Sequence, residues 1–293
     1  MGEGKAHKTV VLGFKAFDLH ELLPHLVAHR VGYYNERNLK VMLKDITFAP
    51  DEQLDPLTFT VACASAALAR LKGVQRKVVF VTTDYPMFWM YAQPSITRME
   101  ELKGRRIATY PPLAPPFHFH RTILHGYGLD PDRDVQLEPA RDDTARLGLL
   151  RSGDVHASVI SSAMPPPKVL SLGFHMLLFF GDRIRVPTTG LTTTDFVIES
   201  QPDLVRDLVG AFHQSMVTIH ESPSTVVPIV AELINDTEAV AKQAHESLRK
   251  YFSRDGRAAA QSERNALQLL SKEGSHGKQL SRNDVYDYSF LPA

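Results

Sequence analysis

FTVACASAALARLKGVQRKVVFVTT, residues 59–83, is the stretch that decides the fold. Phe59–Ala62 reads as a strand, Ser65 as a helix N-cap, AALARLK (66–72) as the helix and Gly73 as its C-cap. KVVFVTT (77–83) follows as a strong buried strand. Strand, helix, strand in that order predicts a largely parallel α/β sheet, with ligand-facing residues at the strand carboxyl ends.

The pattern extends in both directions. Upstream, Thr9–Phe14 is a β-branched strand, Leu22–Arg30 carries apolar residues at helical spacing before Gly32, and NLKVMLKD (38–45) is a strand. Downstream, RRIATY (105–110) is a strand after the Lys103-Gly104 turn, and a helix runs to Gly126 or Gly128. VQLEP (135–139) is another strand, Asp142–Thr144 caps a helix ending at Gly153, and VHASVIS (155–161) closes this second unit. The two α/β units run in series without sequence repeat, interrupted after Val81. The last third is helical: a face of Leu204, Leu208, Phe212, Ser215 and Ile219 after Pro202, then helices near Val226–Ile234, from Asp236 or Thr237, and over 258–272. EGSHGKQLS (273–281) reads as a loop, and VYDYSFLPA is apolar enough to pack onto the body.

Composition bounds the function. The 293 residues are 43% hydrophobic and 23% charged, a globular balance large enough for two lobes. Lys plus Arg equals Asp plus Glu at 33 each, so no basic excess attracts nucleic acid. No apolar run approaches the ~18 residues of a membrane span. MGEGKAHK lacks an apolar core, so no secretory signal is visible: the chain is cytoplasmic, or it is a processed form and extracytoplasmic. The single cysteine, Cys63, makes neither an internal disulfide nor a thiolate metal cluster, and reads as a small buried thiol after a strand.

The local motifs for chemistry fail. HELLPH (20–25) has its histidines five apart, which turns them about 140° from each other on a helix, where a zinc site needs four. No G-x-S-x-G elbow, phosphate loop or dinucleotide fingerprint occurs. In PPLAPPFHFHRTILHGYGL (111–129), His118 and His120 would share a face on a strand. Pro115-Pro116 reads instead as the entry to a helix, on which they point apart and His118 and His125 stand about 10 Å apart along the axis, too far for one metal. No metal or cofactor is expected. Two readings of that helix start stay open: an N-terminus suited to an anion, or a proline-stiffened surface turn.

The order of segments adds a resemblance over about residues 9–220. LKGRRIA, GLDPDRDV and SGDVHASVI at these separations, with the opening VVLGFKAFDLHELLPHL and the later TTGLTTTDFVIESQPDLVRDL, resemble the type II solute-binding proteins of ABC importers. The group includes nitrate, sulfonate and taurine binders and thiamine-pyrimidine-precursor proteins. The resemblance implies a two-lobed periplasmic-binding-protein-like α/β fold: two sheets joined by two crossovers, with a helical C-terminal part. Lobe I would be 1–86 plus 186–293 and lobe II 95–178, with 87–94 and 179–185 as hinge crossovers.

It also implies a cleft. Pro115, Phe117 and His118 would face the ligand from lobe II, with Ser161, Ser162 and Met164 beside them. Phe17, Asp18, Cys63, Ser65, Asp84, Tyr85 and Thr188 would face it from lobe I and the hinge. Phe88 and Trp89 would wall a flat ligand or simply pack in the crossover. The chain departs from the group in lacking a leader, and in placing Asn38 where glycine is common. One cysteine cannot make the cysteine-rich motif of the pyrimidine-synthesising members. Two functions are consistent with this. One is capture of a small organic solute, anionic or heteroaromatic, for an ABC permease or sensor. The other is a cytoplasmic enzyme on the same fold, a decarboxylase or pyrimidine-forming protein, with His118 or His120 as acid/base and Asp18 or Asp84 as partner.

Overall fold

The computed structural model describes residues 7–47, 49–112, 114–272 and 280–292. A first unit comprises β1 (Lys8–Phe14), α1 (Leu19–Val31), β2 (Leu39–Asp45), β3 (Phe59–Ala62), α2 (Cys63–Leu71) and β4 (Arg76–Thr83). The second holds β5 (Phe88–Ala92), β6 (Arg106–Thr109), α3 (Pro115–Gly126), β7 (Gln136–Pro139), α4 (Asp143–Ser152), β8 (Ala157–Ser161), α5 (Pro166–Leu170) and β9 (His175–Phe179). β10 (Thr189–Thr194) brings the chain back. The helices α6 (Asp195–Ser200), α7 (Pro202–Glu221), α8 (Pro223–Ile234), α9 (Glu238–Leu248), α10 (Ala260–Lys272) and α11 (Arg282–Val285) follow.

The strands form two five-stranded sheets, ordered β2-β1-β3-β10-β4 and β7-β6-β8-β5-β9. β1 runs parallel to β2 and β3, and β6 parallel to β7 and β8. Each sheet contains one inverted strand. β10 is antiparallel to β3 and β4, and β5 is antiparallel to β8 and β9. The inverted strand in each case is the one on which the chain arrives from the other sheet. This gives two α/β lobes joined twice, the first sheet being covered by α1 and α7.

Two local readings change, and two strands are added. Phe88–Ala92, placed in a crossover by the sequence, is an inner strand of the second sheet. His175–Phe179 is likewise an edge strand, so the connecting chain is short on both passes. The threonine run is a fully buried strand, two of its hydroxyls finding partners across the sheet, Thr192 with Thr60 and Thr189 with Thr82, both at 2.7 Å, while Thr193 Oγ1 has none. Finally, α2 begins at Cys63 with Ala62 as its N-cap, so Ser65 lies inside the first turn. The Asn38 position has φ 53, the left-handed conformation that glycine adopts freely and asparagine tolerates better than most residues.

The C-terminal segment packs as its apolar content requires: Tyr286 bridges to Val78, and the Asp287 N–H donates to the Val78 carbonyl at 2.9 Å. Of the loop read at 273–281, residues 273–279 lie outside the described residues. Among the described residues no helix is long and apolar enough to cross a membrane.

Candidate functional site

Two features occupy the junction between the lobes. The first is a buried polar cluster at the start of α1. Asp18 caps this helix, its carboxylate accepting the Glu21 N–H at 3.2 Å, which places His20 and Glu21 in the first turn. His20 Nδ1 lies 2.9 Å from Asp18 Oδ1 and 2.7 Å from the Ser162 hydroxyl, which also accepts the His20 backbone N–H at 3.1 Å. Ser162 follows β8, so this contact joins one lobe directly to the other. Pro24 has no N–H for the His20 carbonyl, and Thr189 Oγ1 donates to that carbonyl instead at 3.3 Å.

Burial alone would lower the His20 pKa, but the Asp18 carboxylate, with Glu21 and Asp143, more than offsets it and raises it. Burial first, then the Asp18 charge, pushes the Glu21 carboxyl up to about 8. On the lobe II side, Asp143 accepts the Ser161 N–H at 2.9 Å and its hydroxyl, and pairs with Arg146. Arg146 is 1% exposed, donates to the Ala140 and Val159 carbonyls, and stacks 3.6 Å over the Tyr110 ring.

The second feature is a cavity of about 80 Å³, partly open to solvent. Cys63, Ala64, Ala67 and Leu68 of α2 line one wall, and Pro115, His118, Phe119 and Thr122 of α3 the facing wall. Val186 and Pro187 of the returning crossover, Ala266 and Leu269 of α10, and Tyr286 complete it. Of the two readings open for the start of α3, the anion-suited one lacks its donors at this end of the cavity. Pro115 and Pro116 carry no N–H, and the Phe117 N–H is taken by the Ala114 carbonyl at 3.0 Å.

The structure distributes nine of the thirteen residues named from the sequence over three places and leaves four outside them. Cys63, Pro115 and His118 line the cavity. Asp18, Ser161 and Ser162 belong to the buried cluster. Asp84, Tyr85 and Thr188 hold the hinge: Asp84 binds Arg185 at 2.6 Å, Ser262 Oγ at 2.6 Å and the Ala259 N–H at 3.1 Å. Arg185 stacks 3.5 Å over Tyr85, and Thr188 Oγ1 donates to the Thr83 carbonyl at 3.3 Å. Phe17 is 48% exposed, Ser65 is buried in α2, Phe117 packs beside His118 and Arg121, and Met164 packs against the main core.

His120 is fully buried, its Nδ1 bonded to Thr109 Oγ1 at 2.9 Å, and burial drives its pKa down to about 3, so it stays neutral. Burial raises the Cys63 thiol far above its usual range, so it is no thiolate nucleophile. No group of three metal-ligating side chains is assembled among the described residues. His20 and Glu21 are the site residues that motif reading discards: a metal test fails on spacing, whereas the cap at Asp18 already puts both at a strand carboxyl end. Ala266 and Leu269 leave no signal in sequence, because only tertiary folding brings α10 to the cavity.

Two α/β lobes linked by two short crossovers, with the interlobe junction at strand carboxyl ends, define the periplasmic-binding-protein class of fold. The chain belongs to the NMT1/THI5 like family, whose model matches residues 20–226. No curated protein matches it significantly by sequence. Solved structures share the fold at low identity. A protein from Bordetella bronchiseptica RB50 is 18% identical, with TM-score 0.79 over 96% of this chain and 95% of its own. The periplasmic aliphatic sulphonate binding protein SsuA from Escherichia coli is 13% identical, with TM-score 0.72 over 95% and 92%. DSZB in complex with biphenyl-2-sulfinic acid is 15% identical, with TM-score 0.70 over 96% and 97%.

Proposed function

We propose that this chain captures a small organic solute between its lobes and presents it to an ABC permease or a sensor. The observation that carries the reading is the cavity whose walls come from α2 of one lobe, α3 of the other and the crossover between them. A solute seated there touches every part that must move for the lobes to close, so binding and closure are coupled. We take the pivots as Asp84–Met87 and Phe180–Thr188, with the first sheet and the C-terminal helices as lobe I and the second sheet as lobe II. Sulphonate binding by SsuA, on the same fold, is consistent with the reading. DSZB shows that the fold also carries an enzyme. Against chemistry here, His120 is neutral and bonded to Thr109, Asp84 is spent at the hinge, and Asp18 faces His20.

A thermal-shift screen of small organic solutes tests this. A true ligand raises the melting temperature in proportion to the logarithm of its concentration over Kd. His118→Ala, which opens one wall, is expected to weaken the hit about tenfold or more, the scale of losing good apolar and polar contacts in a small pocket. A screen in which no solute stabilises the chain, or a hit indifferent to His118→Ala, removes the cavity as the binding site.

A further inference from the structure

Helix α10 belongs to neither sheet, yet it forms a wall of the cavity. Its placement is dictated from the hinge. Asp84 holds the Ala259 N–H and the Ser262 hydroxyl just before and inside its first turn, and Asn265 Nδ2 donates to the Arg185 carbonyl at 3.0 Å. Glu263, 2% exposed, is bound by Arg282 at 2.6 Å, which fixes the helix to the C-terminal segment on β4. The two apolar edges of the helix then divide between the lobes. Ala266 and Leu269 pack against the core of the second sheet, and Leu267 packs against the cluster of α2 and β4.

We infer that α10 is the specificity element of the proposed solute site, with Ala266 setting its depth and Leu269 its width, and that the solute it admits is uncharged. This rests on the solute-binding reading. Among the described residues no Lys, Arg, Asp or Glu lines the cavity; its polar side chains are His118, Thr122 and Tyr286. An ion taken into such a lining loses its hydration without gaining a fixed counter-charge, and the penalty in real proteins is several kcal/mol per ion. The proline-blocked start of α3 supplies no spare N–H to soften it, and the start of α2, which also lines the cavity, adds backbone N–H groups but no charged side chain. An engineered apolar cavity of about 150 Å³ in another protein takes benzene. At about 80 Å³ and partly open, this one seats the edge of a single ring and leaves a substituent at the mouth. Ala266 and Leu269, one turn apart on α10, would then decide which rings enter.

The test compares phenol with benzoate at pH 7.5, and phenol with the larger indole, by calorimetric melting of the full chain. Phenol is expected to stabilise the wild-type chain and benzoate to leave it unchanged. Ala266→Leu should lose the phenol shift. Leu269→Ala should move the ratio of indole to phenol affinity about tenfold or more toward indole, the scale of one or two methylenes in an apolar pocket. Should Ala266→Leu fold poorly, Leu269→Ala alone decides the point. Benzoate stabilising as well as phenol overturns the uncharged-solute claim. Unaltered selectivity in Leu269→Ala overturns the role of α10 and leaves solute binding standing. Failure of both phenol and indole to stabilise the wild type overturns this inference, while the wider solute screen still judges the binding function.

Discussion

Glu21 is the residue whose chemistry is most displaced by the fold. Its carboxyl is buried beside Asp18, with His20 between α1 and Ser162 and with Asp143 across the junction, and it rises to about 8. Raised folded-state values for both Glu21 and His20 mean that the native chain holds protons more tightly than the unfolded chain in this window. The sign follows: the stability they contribute is complete below the unfolded values and is lost as pH rises through the folded ones. The carboxylates with lowered pKa, such as Asp45 and Asp284, act only in acid. The histidines that burial lowers, His25, His120, His220 and His245, oppose the effect as pH rises through their unfolded value and are neutral in both states above about pH 7.5. The urea midpoint should therefore fall between pH 7.5 and pH 9, and Glu21→Gln, which cannot ionise, should flatten that fall. An identical pH slope in the variant would show that Glu21 is not the titrating group. This cluster was half legible in sequence. Asp18 is expected at the cleft from the resemblance, but its effect on His20 and Glu21 depends on its capping of α1 and on Ser162, which only folding brings near.

At the scale of elements, what the sequence made readable followed periodicity. β1, α1, β3, β4 and the C-terminal helices appear in it because apolar residues recur at strand or helix spacing. β5, β9 and β10 escape for a different reason: they are inner or crossing strands whose neighbours come from distant sequence. β10 is TGLTTT, polar by composition and buried throughout; β3, β4 and the Pro56 carbonyl satisfy three of its four hydroxyls, and Thr193 Oγ1 stays unpaired. Its register with β4 shifts between Thr189 and Gly190, and there the two backbones nearly touch. A Cβ on Gly190 would stand 1.9 Å from the Phe80 carbonyl oxygen and 2.9 Å from Cys63 Sγ. Backbone cannot swing away as a side chain can. Gly190→Ala should thus cost about 3 kcal/mol, the upper end of overpacking penalties, read as a lower urea midpoint at unchanged slope. A loss below about 0.5 kcal/mol would mean that β10 does not lie between β3 and β4 as described.

On the scale of the whole molecule, the lobes are clasped at three points, and none of their residues lines the cavity. Ser162 holds His20; Lys168 of α5 donates to the Ile234 carbonyl at 2.7 Å and reaches Asp236 at 3.5 Å; and Phe179 of the second sheet, itself stacked on Trp89 at 5.0 Å between ring centroids, packs on Tyr251 at 4.7 Å. Two of these clasps are polar and cost little to break singly, since each is one contact among others. Together they bias the lobes toward closure, and a two-state equilibrium of this kind shifts by the sum of what each state's contacts contribute. The single tryptophan reports on it, because Trp89 is 3% exposed and shielded through Phe179. The double variant Ser162→Ala/Lys168→Ala should raise the small-angle scattering radius above the ~19 Å of a compact chain of this length. Its tryptophan emission should move to the red, and a stabilising solute should reverse both. If the double variant scatters and fluoresces like the wild type, the aromatic stack alone holds the lobes, and closure is set at the hinge side rather than by the α1 and α5 contacts.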